Sequence, residues 1–286
     1  MPMCQNRSVL VLGASGKLGR ILRRQWQITP PKHLTVAWQY RENPPSHGWQ
    51  WRPGEVPQWE ATPVDTVLAL WGVTSGSEHK LAKNRPLAHA ALTLAETLGA
   101  TRVLHCSSAA VYPPGPDPLR ETQAGGEINA YGAAKLDMER AIADWSRAHP
   151  QGPKSCIMRI GNMVGADSLF AAIARGDNPI RLDQFASGAG PWRSYISAPT
   201  LARVVEALIT CSDNALPGLV NVASTESVAM EALARAAGCD VAWRQTPDTA
   251  APMVALDTSV LSALVDLPVE TPEELIASWR RLEAPS

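Results

Sequence analysis

The sequence of 286 residues is poor in several features, and each shortage narrows what the chain can be. Positive charge is not in surplus: 26 Lys and Arg stand against 27 Asp and Glu, a net charge of -1. With no basic cluster either, a nucleic-acid partner is not expected. Nowhere do 18 apolar residues run together, so no membrane-spanning helix is expected. The polar stretch Met1 to Ser8 lacks a charged segment followed by a long apolar one, so no secretory signal is expected. The five cysteines (Cys4, Cys106, Cys156, Cys211, Cys239) are odd in number, scattered and without C-x-x-C spacing. That suits reduced thiols in a cytoplasm and gives no zinc site. The six histidines form no ligand pattern, so no metal is expected.

Phenylalanine is scarce too, two residues against ten Trp. Five of the indoles (Trp38, Trp49, Trp51, Trp59, Trp71) fall in one short region. Aromatics bury large areas anywhere, so core and loop packing is the expected role, with stacking on a ligand as the alternative. The remaining composition, 45% hydrophobic and 19% charged, is that of a globular chain. Its length suffices for one large core, or a core with a smaller attached domain.

The first half alternates short apolar or β-branched runs with helix-like stretches, the pattern of βαβ units and a parallel sheet. Strands are expected at Ser8–Leu12, Leu34–Gln39, Thr66–Trp71, Arg102–Cys106 and Ser155–Ile160, with a short one near Trp49–Arg52. Helices are expected at Lys17–Trp26, Asn84–Leu98 and Asn129–Ala148, the second closing at Gly99. From about Gly165 the alternation becomes irregular, broken at Gly188–Pro191 and Pro217–Gly218. The expected fold class is therefore α/β, a doubly wound parallel sheet. Residues 1–164 would form the sheet domain, and 165–286 mainly a smaller portion laid over the sheet edge, with some segments returning to the sheet.

After the first strand comes Gly13-Ala14-Ser15-Gly16-Lys17-Leu18-Gly19, a G-x-x-G-x-x-G turn opening a helix. Small residues let the chain turn tightly, bring backbone close to a pyrophosphate and aim helix N-terminal N–H groups at negative charge. An acidic residue closing the second strand would normally bond the ribose hydroxyls of NAD. Here that strand ends Trp38-Gln39-Tyr40-Arg41, without one. Arg41, helped by Lys17, suits a 2′-phosphate, so NADP is expected ahead of NAD; a solvated loop charge is the alternative.

Tyr131 and Lys135 lie four apart, one turn along a helix face. A lysine ammonium and an oxidised nicotinamide would lower the phenol's pKa, fitting Tyr131 for proton exchange with a substrate oxygen. Ser108, at a strand end, is placed to hold that oxygen.

On these residues the chain resembles the extended short-chain dehydrogenase/reductases, the NAD-dependent epimerase/dehydratase type. The resemblance takes in the Gly turn, the Ala69–Gly72 strand end, Asn84, Ser107-Ser108-Ala109-Ala110-Val111-Tyr112 and Leu119-Arg120-Glu121-Thr122. It continues through Tyr131–Lys135, Arg159-Ile160-Gly161-Asn162, Gly218–Val222 and Leu256–Ser259. It implies a Rossmann-type sheet with a small substrate domain, often in a homodimer, and Ser108, Tyr131 and Lys135 as catalytic residues. Leu70, Trp71, Gly72, Ser107 and Ile160 would join the turn in holding cofactor, and Asn162 would meet substrate. Arg193 is placed either on a substrate phosphate or in a surface ion pair.

Two departures matter. Where the family frequently reads R-D-Y-I-H-V-x-D, this chain has Arg193-Ser194-Tyr195-Ile196-Ser197-Ala198-Pro199-Thr200, without the acids and the His. Where sugar-nucleotide dehydratases carry Asp-Glu after the catalytic hydroxyl, it has Ala109-Ala110, which disfavours dehydration. The expectation is a cytoplasmic reductase or epimerase acting on a nucleotide-sugar or similar keto compound. Reduction of a non-sugar ketone and a non-catalytic NADP sensor are the alternatives.

Overall fold

The computed structural model of the chain describes residues 6–60, 63–115, 117–246 and 250–284. In chain order the first part runs β1 (Arg7–Leu12), α1 (Lys17–Ile28), β2 (Leu34–Tyr40), β3 (Gly48–Gln50) and β4 (Thr66–Ala69). Then follow α2 (Glu78–Leu81), α3 (Asn84–Thr97), β5 (Arg102–Ser108), α4 (Ala130–Ala148) and β6 (Lys154–Ile160). The second part comprises β7 (Asn162–Met163), α5 (Ser168–Ala174), β8 (Ile180–Gln184), β9 (Trp192–Ile196), α6 (Ala198–Thr210) and β10 (Leu219–Val222). It closes with β11 (Ser227–Ala229), α7 (Met230–Ala236), β12 (Val241–Gln245), β13 (Met253–Val254), α8 (Ser259–Ser262) and α9 (Pro272–Glu283).

Seven strands form one parallel sheet in the order β10-β6-β5-β4-β1-β2-β3. Val9 to Leu12 of β1 are all buried, because helices cover both faces and no residue of a central strand can face water. On one face Leu22 and Trp26 of α1 and Leu201, Val205 and Leu208 of α6 pack on the sheet. On the other lie Ala91 and Leu92 of α3 and Met138 and Ile142 of α4. The fold is the Rossmann-type doubly wound sheet that the alternation implies. Strand order reverses between β1 and β4, and the crevice above that switch point is where such sheets bind ligands.

The expected elements recur with shifted ends. The β3 strand is Gly48–Gln50, not Trp49–Arg52: Trp51 N still reaches Tyr40 O at 3.1 Å, but Pro53 has no N–H to extend the ladder. Strand β4 stops at Ala69, short of the expected Trp71, although Leu70 N still donates to Leu12 O at 3.1 Å. No helix lies between β3 and β4 among the described residues; indoles fill that side. Trp49 stacks on Trp51 (5.6 Å, 5°), Trp59 meets Trp49 edge-on (5.1 Å), and Trp51 stacks on Trp71 (5.9 Å, 26°). Beyond residue 165 the chain is divided. Helix α6 and strand β10 complete the main sheet layer, while β7, β9, β11 and β13 form a small second sheet and β8 pairs with β12. No helix among the described residues is long and apolar enough to cross a membrane.

Candidate active site

The turn after β1 is built by close approach. Gly13 has φ +86, and a Cβ there would lie 2.9 Å from the Trp71 backbone. A Cβ on Gly19 would stand 2.3 Å from Gly13 O, so glycine is what lets α1 start this near the strand. Buried Gln39 fixes the turn from β2: its Oε1 accepts from Gly13 N at 2.9 Å and its Nε2 donates to Trp51 O at 2.5 Å. The first N–H groups of α1 have no acceptor within the helix, and no acidic side chain occupies its first turn. A phosphate is the natural acceptor there.

Across the crevice, Asn129 caps α4 by accepting from Gly132 N at 2.8 Å, which sets Tyr131 and Lys135 on the face toward β5. A Cβ on Gly132 would come 1.9 Å from Ala110 O, so the helix rests directly on the turn that follows Ser108. Ser108 Oγ accepts from Ala110 N at 3.2 Å and starts that turn. Lys135 is buried, and its Nζ donates to Cys106 O at 2.8 Å. Burial pushes its pKa down, opposed by Cys106 and Glu139. Burial, then the neighbouring Cys106 thiol, push the Tyr131 phenol up to about 12, with the Ser108 hydroxyl pulling the other way. The expected lowering of the phenol requires an oxidised nicotinamide beside it; in the free protein desolvation sets the direction, and the lysine ammonium is bonded to the β5 backbone.

A cavity of about 630 Å³ joins these two ends. Gly13, Ser15, Gly16, Lys17, Leu18, Arg41, Leu70, Trp71, Gly72, Ser107, Ser108, Tyr131, Lys135, Ile160 and Asn162 all line it. Gly19 does not; it lies buried beneath the turn. Lys17 does not stand with Arg41 as expected: its Nζ bonds Ala166 O at 3.1 Å, on the loop that also carries Asp167. Arg193 lines a second cavity of about 690 Å³, with Arg175, Arg181, Arg244 and Asp183. Its guanidinium donates to Trp192 O (2.7 Å) and Ala251 O (2.9 Å), so neither a surface ion pair nor the first cavity holds it. Asn162 lines both cavities, and its Nδ2 donates to Asp167 Oδ2 at 2.8 Å. Buried Tyr195 donates to the same oxygen at 2.6 Å.

Sequence reasoning missed Gln39, Pro53 and Asp167 as cavity residues, and missed the polar network behind the site. Ser107 Oγ donates to Glu139, which pairs with Arg159 at 2.7 Å; Arg159 Nη1 donates to Tyr112 OH (2.9 Å) and Glu121 O (2.6 Å). Tyr112 in turn donates to Asn221 Oδ1 at 2.6 Å. The available signal was spacing: Glu139 stands one further turn along α4 from Lys135. Asn84 is a packing residue, its amide clasping the Val73 backbone (3.0 and 2.9 Å).

A parallel switch-point sheet, a glycine turn opening a helix and a Ser/Tyr/Lys cluster in one crevice are the arrangement of a dinucleotide-dependent enzyme class. The chain belongs to the NAD dependent epimerase/dehydratase family, whose profile matches residues 9–223. It is similar to the UDP-glucose 4-epimerase of Azospirillum brasilense, 43% identical over 70 residues, which is 24% of this chain and 20% of that protein's length. Among solved structures, MoeE5 in complex with UDP-glucuronic acid and NAD superposes with a TM-score of 0.76 at 16% identity, covering 97% of this chain and 100% of that one. The Bifidobacterium longum UDP-glucose 4-epimerase in complex with NAD+ and UDP gives 0.75 at 20% identity, covering 96% and 98%. At those identities the likeness is one of fold.

Proposed function

We propose that the chain is an NADP-preferring reductase or epimerase that works at a carbonyl or hydroxyl carbon of a nucleotide-sugar or similar keto compound. The observation carrying this reading is the convergence of Ser108, Tyr131 and Lys135 on one cavity whose far end is the phosphate turn. A bound nicotinamide dinucleotide would supply the hydride acceptor or donor. The glycine cradle and the free N–H groups at the start of α1 fit its pyrophosphate. Ser108 orients the substrate oxygen, and Tyr131 gives it a proton or takes one from it. Lys135 brings a buried positive charge to the same wall and favours the phenolate once the cofactor's own charge is added.

The NADP preference rests on what stands at the end of β2. Gln39 is neutral and committed to the turn and Trp51, while Arg41 is exposed, lines the cavity and has only a 3.9 Å contact with Glu42. Its planar donors suit a phosphate dianion. Residues 165–286, apart from α6 and β10, which belong to the main sheet layer, supply the substrate portion, with Asn162 at the junction. The second cavity, where Arg181 and Arg193 stand beside the Arg175–Asp177 and Arg244–Asp183 pairs, is the proposed seat of the substrate's nucleotide end. Alanines at 109 and 110 stand where sugar-nucleotide dehydratases carry their Asp-Glu pair, which disfavours dehydration.

The test is turnover with NADPH on a panel of nucleotide-sugars and their keto forms, beside the Tyr131→Phe variant. The reading predicts activity that the variant loses while its cofactor affinity stays within a few-fold. A variant as active as wild type would overturn the role given to Tyr131.

A further inference from the structure

We propose that the indole of Trp71 is the face on which the purine of the dinucleotide stacks; this rests on the cofactor reading above. Trp71 stands two residues beyond the end of β4 and lines the cofactor cavity together with Pro53, Val73 and Leu87. Its backbone presses on Gly13, so the ring springs from a point beside the phosphate turn, within the span of one dinucleotide.

The ring is held in place. It stacks on buried Trp51, which stacks in turn on Trp49, so the indole is braced from behind by two more. Trp71 is half-buried and forms part of the cavity wall.

Packing alone does not account for the placement. Trp71 Nε1 is buried without a hydrogen-bond partner, a state that disfavours the folded protein unless something else favours the ring being there. Charge does not recognise the base either: Asp167, which caps α5 and accepts from Asn162 and Tyr195, is the one carboxylate among the described residues lining the cavity. A purine amino group therefore finds no acidic partner near Trp71. Apolar side chains and an aromatic face are what this end offers, and stacking on an aromatic ring tolerates any base while rewarding a large one.

The experiment is calorimetric titration of the wild-type protein, Trp71→Leu and Trp51→Phe with NADPH, AMP and nicotinamide mononucleotide. Trp71→Leu keeps apolar bulk and removes the aromatic face; circular dichroism and a melting curve establish that it is folded. Loss of one base stack is expected to weaken NADPH and AMP by the same factor, roughly tenfold, and to leave nicotinamide mononucleotide unchanged. Trp51→Phe, which keeps a ring behind Trp71, is expected to change either affinity less than threefold or so. If Trp71→Leu binds AMP as tightly as wild type, or if NADPH weakens and AMP does not, the stacking role is wrong. Wild-type protein that binds none of the three would instead overturn the cofactor reading itself. Should Trp71→Leu not fold, Trp71→Phe replaces it: a smaller face must weaken AMP measurably, and an unchanged affinity refutes the proposal.

Discussion

The ammonium of Lys135 donates to the carbonyl oxygen of Cys106 at 2.8 Å, tying α4 to the β5 backbone one turn beyond Tyr131. The lysine in the free protein is thus a structural donor first. Tyr131, desolvated between Ser108 and Cys106, is held up to about 12. Tyr131 should therefore remain un-ionised through pH 10 in the free protein. Ultraviolet difference titration of wild type against Tyr131→Phe should reveal no phenol of normal pKa lost in the variant. Saturation with oxidised dinucleotide should bring the missing ionisation to lower pH, because added positive charge favours the phenolate.

Gly132 sits where α4 touches the turn after Ser108. A Cβ would overlap Ala110 O at 1.9 Å, so Gly132→Ala must displace the helix or the turn. Misplacement on the order of 1 Å costs about a hundredfold in rate. The expected result is a fall in kcat on that scale, with a stability loss of about 1–3 kcal/mol in urea denaturation. Unchanged kcat would mean that the contact does not position Tyr131.

His105, on β5 behind Lys135, is buried, and neither ring nitrogen has a hydrogen-bond partner. Burial, then the nearby Lys135 charge, depress its pKa to about 3. The folded protein keeps the ring neutral while the unfolded chain takes up a proton near pH 6.5. Stability from this group is therefore full above that pH and lost as pH falls toward 3. Urea denaturation should find wild type about 2 kcal/mol less stable at pH 5 than at pH 7 on account of this residue. In His105→Phe that part of the pH dependence should vanish.

Glu139 and Arg159 form a buried pair extended by Ser107, Tyr112 and Asn221. Glu139→Gln leaves a guanidinium without its counter-charge and should cost about 3–5 kcal/mol. The double variant Glu139→Gln/Arg159→Met should lose less than the sum of its two singles, since no buried charge is stranded. Additive losses would show that the pair is not coupled.

Much of this was legible in the sequence, for identifiable reasons. Strands such as Ser8–Leu12 read well because a strand buried on both faces is an unbroken apolar run. Helix α4 read well because Asn129 is a capping residue, and the glycine turn because its geometry admits few other residues. Other features depended on register and three-dimensional neighbours. Gln39 is an ordinary residue until β2 brings its amide against Gly13. The reach of Lys17 to Ala166, 149 residues away, has no local signal. Arg193 carries a motif position but spends its donors on backbone carbonyls. The rise in the Tyr131 pKa follows from burial, which spacing along a helix does not report.

The measurement that bears most directly on the central claim is titration of the purified protein with NADPH and with NADH, following the quenching of its tryptophan fluorescence. Both should bind. NADPH should bind more tightly, and Arg41→Ala should weaken NADPH about tenfold, the lower range of a charge-assisted phosphate contact, while leaving NADH unchanged. Absence of binding by either nucleotide, in protein whose absorbance shows no cofactor carried through purification, would contradict the account.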